Sequence, residues 1–237
     1  MTGTGTLINI ATVLAGTVIG ISAGSRLSES AQQRVLAGLG MVTLVIGVDL
    51  ALAWGGKDTS TSTPLYVLGG ILLGGLIGEA LGIERRLEAL GDRVQARLSD
   101  KPGSTVSEGF VTASLLFCVG SLTVVGSIQD GLTGDYQLLA TKAVLDGFAS
   151  IALAATLGWG VGLSAITILV VQGSLTLGAG VFDDVLEGEA LAVLISAGGV
   201  TIIGIALKLL ALKDVKVGNF LPALVIAPAL VGLVSLV

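Results

Sequence analysis

Apolar residues run along this chain in stretches of about twenty, each closed by charged residues or by Gly- and Pro-rich breaks. A hydrocarbon core of about 30 Å is crossed by roughly 20 helical residues rising 1.5 Å each, so the pattern predicts transmembrane helices. Eight such stretches fall near 5–24, 35–54, 64–82, 109–128, 138–157, 160–179, 190–211 and 219–236. Only Gly158, Trp159 and Gly160 separate the fifth from the sixth, which predicts a very tight hairpin or a broken helix there. The first stretch opens with no basic segment and is long enough to span, so it reads as a helix and not as a secretory signal. The fold class is all-α, a polytopic transmembrane helix bundle of about eight spans that forms a single transmembrane domain over residues 1–237.

The polar positions between the stretches orient the bundle. With the N-terminus outside, Arg26, Arg34, Arg85, Arg86, Arg93, Arg97, Lys101, Lys208, Lys213 and Lys216 fall on the cytoplasmic side, and only Lys57 and Lys142 lie opposite. Cytoplasmic loops collect Lys and Arg, so both termini are expected outside. The long inner loop places Ile83, Leu87, Leu90, Val94 and Leu98 at steps of three or four with arginines between them, which predicts an amphipathic helix on the inner membrane face. Weak self-similarity, such as Gly16-Thr17 against Gly120-Ser121, suggests a repeat of three spans. An odd-span unit inverts its second copy, giving a 3+3 inverted repeat with units 1–100 and 105–188, followed by two terminal spans in 189–237.

Composition supports lipid as the solvent and removes several chemistries. The chain of 237 residues is 53% hydrophobic and 12% charged, and its mean hydropathy is +0.97, too apolar for a water-exposed surface. With no His and Cys118 as the single cysteine, imidazole catalysis, a Cys/His zinc site, a Cys-His pair and an internal disulfide are excluded. The net charge of -5 argues against nucleic acid. No enzymatic role and no cofactor are expected.

Glycines and buried polar groups carry what remains. Gly70, Gly74, Gly78 and Gly82 step by four along the third span, and Gly16, Gly20 and Gly24 do so along the first. Such ridges let helices approach closely. They pack spans within one chain, or they join copies, and Gly70, Gly74 and Gly78 are the candidate contact of an expected homo-oligomer. Between residues 118 and 150 polar groups crowd the chain. Lys142 and Asp146 stand four apart on one helical face, where each offsets the other's cost in lipid, and Ser150 continues the stripe. Gln129 and Asp130 precede them, Gln172-Gly-Ser174 interrupts the sixth span, Asn9 sits in the first and Asp49 in the second. The expected site is one outward-facing cavity lined by Asp146, Lys142, Gln129, Asp130, Ser150, Gln172, Ser174 and Asn9, with Asp146 coordinating a small polar solute or ion. The alternative is a non-transporting scaffold or sensor in which a buried ion-pair network locks the bundle.

The run Gly109-Phe-Val-Thr-Ala-Ser-Leu-Leu-Phe-Cys-Val-Gly120, then Val125-Gly-Ser-Ile-Gln-Asp-Gly-Leu-Thr-Gly-Asp135, Lys142 with Leu145-Asp-Gly147, Ser164-Ala165, Gln172-Gly-Ser174 and Val217-Gly-Asn-Phe-Leu-Pro-Ala223 resembles a bacterial inner-membrane family, that of domain of unknown function number 554. Gly5-Thr-Leu-Ile-Asn9 and Ile77-Gly-Glu79 extend the likeness over essentially the whole chain. Its pattern does not demand a carboxylate at Asp49. The resemblance implies a polytopic fold and an inner-membrane location, and it supplies no reaction.

Overall fold

The computed structural model describes residues 2–24, 28–57, 59–86, 89, 106–118, 121–181 and 188–234, and no strand occurs among them. The helices are α1 Thr4–Gly24, α2 Glu29–Ala51 running into a 3-10 turn at Leu52–Gly55, α3 Thr63–Leu81, α4 Val106–Cys118, α5 Ser121–Thr133, α6 Gln137–Leu157, α7 Gly160–Leu177, α8 Gly188–Leu209 and, after a 3-10 turn at Val217–Phe220, α9 Ala223–Val234.

Among the described residues six helices are long and apolar enough to cross a membrane, seven crossings if one bent pair counts as a span, in place of the eight expected. The fourth stretch is that pair, α4 and α5, bent by 60°. A hydropathy window averages over such a bend and reads one span. The last stretch is shorter than a full span: its apolar helix covers Val217–Leu233, opening with the 3-10 turn and carrying Pro228 in α9. The break expected between the fifth and sixth stretches leaves both complete, as α6 with 21 residues and α7 with 18. Gly158 makes the turn between them at φ +68°, a conformation that costs glycine little. Most of the amphipathic segment expected over 83–98 lies outside the described residues.

The chain forms two compact units, Met1–Leu39 with Leu87–Phe182 and Gly40–Arg86 with Asp183–Val237. Each draws on residues from both expected repeat units, so the division is interleaved along the sequence. In the first unit Gly16, Gly20 and Gly24 lie against the backbone at Gly147, Ile151 and Ala155 in that order, so α1 and α6 run parallel. A Cβ at any of the three glycines would overlap a carbonyl oxygen of α6, which is why this ridge must be glycine. The bent pair runs alongside α7 in the same direction: Gly160 abuts Val106, Ser114 Oγ lies 2.9 Å from Thr167 Oγ1, and Gly131 abuts Thr176.

In the second unit α3 packs antiparallel on α9 through Gly70 against Ala227, Gly74 against Ala223 and Gly78 against Asn219. This ridge is therefore occupied within the chain, which removes it as a contact between copies. Glu189 at the start of α8 accepts from the Ser60 amide at 3.2 Å, the Ser60 hydroxyl at 2.6 Å and the Thr63 hydroxyl, tying the start of α8 to the start of α3. At the other end of α3 Glu84 accepts from the Gly218 amide at 2.6 Å, and the Glu84 amide donates to Asn219 Oδ1 at 2.9 Å. Asn219 also donates to Glu79. These two clasps satisfy helix-end backbone groups that lipid could not.

Candidate functional site

The first unit holds an ion pair inside a shell of apolar side chains. Helical spacing places Lys142 and Asp146 one turn apart on α6, and they are 6% and 7% exposed. Lys142 Nζ bonds Asp146 Oδ2, and Asn9 Nδ2 on α1 donates to the same oxygen at 2.9 Å. The glycine ridge of α1 makes this reach feasible, because it brings the two backbones into contact at Gly16, about two turns beyond Asn9. The Phe117 ring, in the last turn of α4, lies with its centroid 6.0 Å from Lys142 Nζ. The ammonium is thus held by a carboxylate and an aromatic face at the point where the bent pair breaks. Across that bend Thr123 Oγ1 donates to the Phe117 carbonyl at 3.1 Å, meeting a backbone acceptor that a continuous helix would satisfy itself.

The remaining expected residues make no hydrogen bond to this pair. Ser150 is buried one turn beyond Asp146, its hydroxyl on the Gly147 carbonyl at 2.8 Å and its oxygen filling the space that a Cβ at Gly16 would need. Asp130 is fully buried, and its Oδ2 accepts the amides of Gly3 and Gly5 at 3.2 Å each, so it caps the start of α1. Gln129 turns to Asp135, donating at 3.0 Å at an exposed position. Gln172 is fully buried on α7, and neither its Oε1 nor its Nε2 meets a protein partner. Ser174 is exposed with its hydroxyl on the Val171 carbonyl at 3.0 Å, and Asp49 is exposed.

The structure thus joins Lys142, Asp146 and Asn9, with Ser150 adjoining. Thr6, Ser127 and Thr176 were not singled out, yet their hydroxyls are buried in the same unit without a partner. Their signal was spacing: each lies three or four residues from Asn9, Asp130 or Gln172. Among the described residues no three His, Cys, Asp or Glu side chains converge as a metal site would need. The chemistry available is charge pairing and oxygen ligation inside a low-dielectric shell.

The chain matches a family model described as protein of unknown function, DUF554, over residues 4–232. It is 30% identical over 227 residues to the uncharacterized membrane protein YdfK of Bacillus subtilis, covering 96% of this chain and 95% of that one. It is 29% identical over 227 residues to the uncharacterized protein YqgA of Escherichia coli, covering 94% of each. No solved structure matches it. With apolar helices long enough to cross a bilayer and a match running from the start of α1 into α9, the chain is an integral membrane protein of the DUF554 family.

Proposed function

We propose that the protein is a non-enzymatic transporter or channel for a small polar solute or ion in a bacterial inner membrane. The observation that carries this reading is the bent pair α4–α5, whose first helix ends over Lys142 beside Asp146 and Asn9. Discontinuous helices at buried ionisable groups are how transporters expose helix ends and freed backbone to a substrate at mid-membrane depth. Gln172, fully buried and unpartnered on the neighbouring α7, adds a polar group that folding alone does not use. One observation favours a structural lock instead: Asp146 is already bonded by both Lys142 and Asn9.

Current recordings from vesicles containing the purified protein separate the two. Concentration jumps of alkali cations, protons or small zwitterions are expected to give transient currents, and Asp146→Asn, whose amide oxygen still accepts from Lys142, is expected to abolish them while the protein stays folded. Currents unchanged in Asp146→Asn would remove Asp146 as the coordinating group, and no current in the native protein would overturn the transport reading.

The same reading sets both termini outside the cytoplasm, supported by the ten-to-two division of basic residues, and it requires the Val217–Leu233 segment to complete an eighth crossing. A reporter active only in the cytoplasm is then silent when fused at Val237 and active near Arg97; the opposite pattern refutes the orientation. Assembly as a homo-oligomer belongs to the proposal too, through a surface other than the Gly70, Gly74 and Gly78 ridge.

A further inference from the structure

Seven buried nitrogen and oxygen atoms of the first unit meet no protein group: Thr6 Oγ1 and Asn9 Oδ1 on α1, Ser127 Oγ and Asp130 Oδ1 on α5, and Gln172 Oε1 and Nε2 with Thr176 Oγ1 on α7. None of these residues is more than 3% exposed. Native interiors leave few polar atoms unpaired, and a concentration of them on three neighbouring helices implies a guest.

Helix geometry puts them at neighbouring depths. Thr6 and Asn9 lie one turn apart, as do Ser127 and Asp130, and Gln172 and Thr176, so each pair shares a face of its helix. Gly131 abuts Thr176, and α5 and α7 run in the same direction, so one turn back Ser127 stands level with Gln172. Thr17 abuts Gly162, and equal steps from that contact bring Gln172 level with Leu7, between Thr6 and Asn9. Asp130 ties this level to the start of α1 through the Gly3 and Gly5 amides.

The chemistry of the set selects the guest. Three of the atoms, on Asn9, Asp130 and Gln172, are oxygens that only accept; three are hydroxyls, which accept equally well; one, Gln172 Nε2, only donates. Asp130 is fully buried, and among the described residues the ion pairs are Lys142 with Asp146 and Lys208 with Asp214, so no cationic side chain neutralises it. Anions are excluded by the sign of that charge. Hard cations take oxygen ligands, and a dication held by protein recruits several carboxylates where this seam has one. We infer that the seam between α1, α5 and α7 binds a monovalent alkali cation at Asp130, with Ser127, Gln172 and Thr176 supplying neutral oxygens. Asn9 joins this seam to the ion pair, since its Nδ2 is on Asp146 while its Oδ1 is open. The inference rests on the transport reading of this unit and names the class of ion it takes.

Binding is measured on the purified protein in mild detergent, without any need for flux. Ionic strength is held constant while choline chloride is exchanged for sodium or potassium chloride, and both the unfolding temperature and the retention of radioactive sodium are followed. A saturable rise with sodium or potassium over choline is expected. Asp130→Asn is expected to raise the apparent dissociation constant about tenfold or more, the scale of one lost charged ligand. Ser127→Ala and Gln172→Leu, which leave the α1 cap intact, are expected to weaken binding severalfold and serve if Asp130→Asn does not fold. Equal stability in all three salts, or undiminished binding in these variants, would overturn the site. Stabilisation that follows acidification alone and is equal in all three salts would also overturn it, assigning the seam to a proton. Saturable binding without vesicle currents keeps the cation site and removes transport; currents without saturable binding do the reverse.

Discussion

Lys142→Leu is expected to cost about 3–5 kcal/mol of stability, the scale for breaking a buried ion pair from one side. The carboxylate of Asp146 would keep only the Asn9 amide as a donor at a position that is 7% exposed. Leucine fills most of the volume that the lysine stem occupies, so the loss isolates charge from packing. Adding Asp146→Asn to Lys142→Leu should restore most of the stability, because an amide and Asn9 can satisfy each other without net charge. Thermal unfolding in mild detergent reads both steps. A single variant as stable as the native protein would mean that water or another cation already compensates Asp146. The restored double variant also bears on function: folded but neutral, it should pass no current if the pair is the transport group.

The pair itself was legible, since a lysine and an aspartate four apart in an apolar run have few arrangements other than with each other. Asn9 was visible as a polar residue in lipid, but its partner lies 137 residues away and only the fold brings them together. Asp130 was grouped with Gln129, yet a step of one residue along a helix turns the side chain through about 100°, and the two serve different neighbours. The first caps α1 from inside and the second turns to Asp135 at an exposed position. Thr6, Ser127 and Thr176 were illegible for another reason. A helical hydroxyl can bond the carbonyl one turn back, as Thr17 does to Val13 and Ser22 to Val18, so the sequence does not reveal which hydroxyls remain open. The bend between α4 and α5 was missed because glycine and serine occur in straight spans here as well, and hydropathy carries no angle.

Gly74→Leu is expected to destabilise the protein by at least about 3 kcal/mol, at the upper end of what overpacking costs, and to deplete the folded species altogether. Even a Cβ at this position would stand 2.5 Å from the Ala223 amide nitrogen, 2.6 Å from its Cα and 2.7 Å from its Cβ, and two of these atoms are backbone that no rotamer change can move. The glycine period along α3 was readable from sequence as a close-packing ridge. Its partner was not, because a neighbouring span and a second copy present the same apolar backbone to a row of glycines. The structure assigns the partner as α9, which is only 12 residues long and has few turns over which to recover a displaced contact. Loss should therefore appear as unfolding or aggregation in size-exclusion and thermal scans, and not as a clean change of oligomer. Gly38→Ala is the control, since a Cβ there meets nothing within 4 Å. A Gly74→Leu protein that folds normally and differs only in assembly would return the ridge to an interface between copies and require α9 to pack elsewhere.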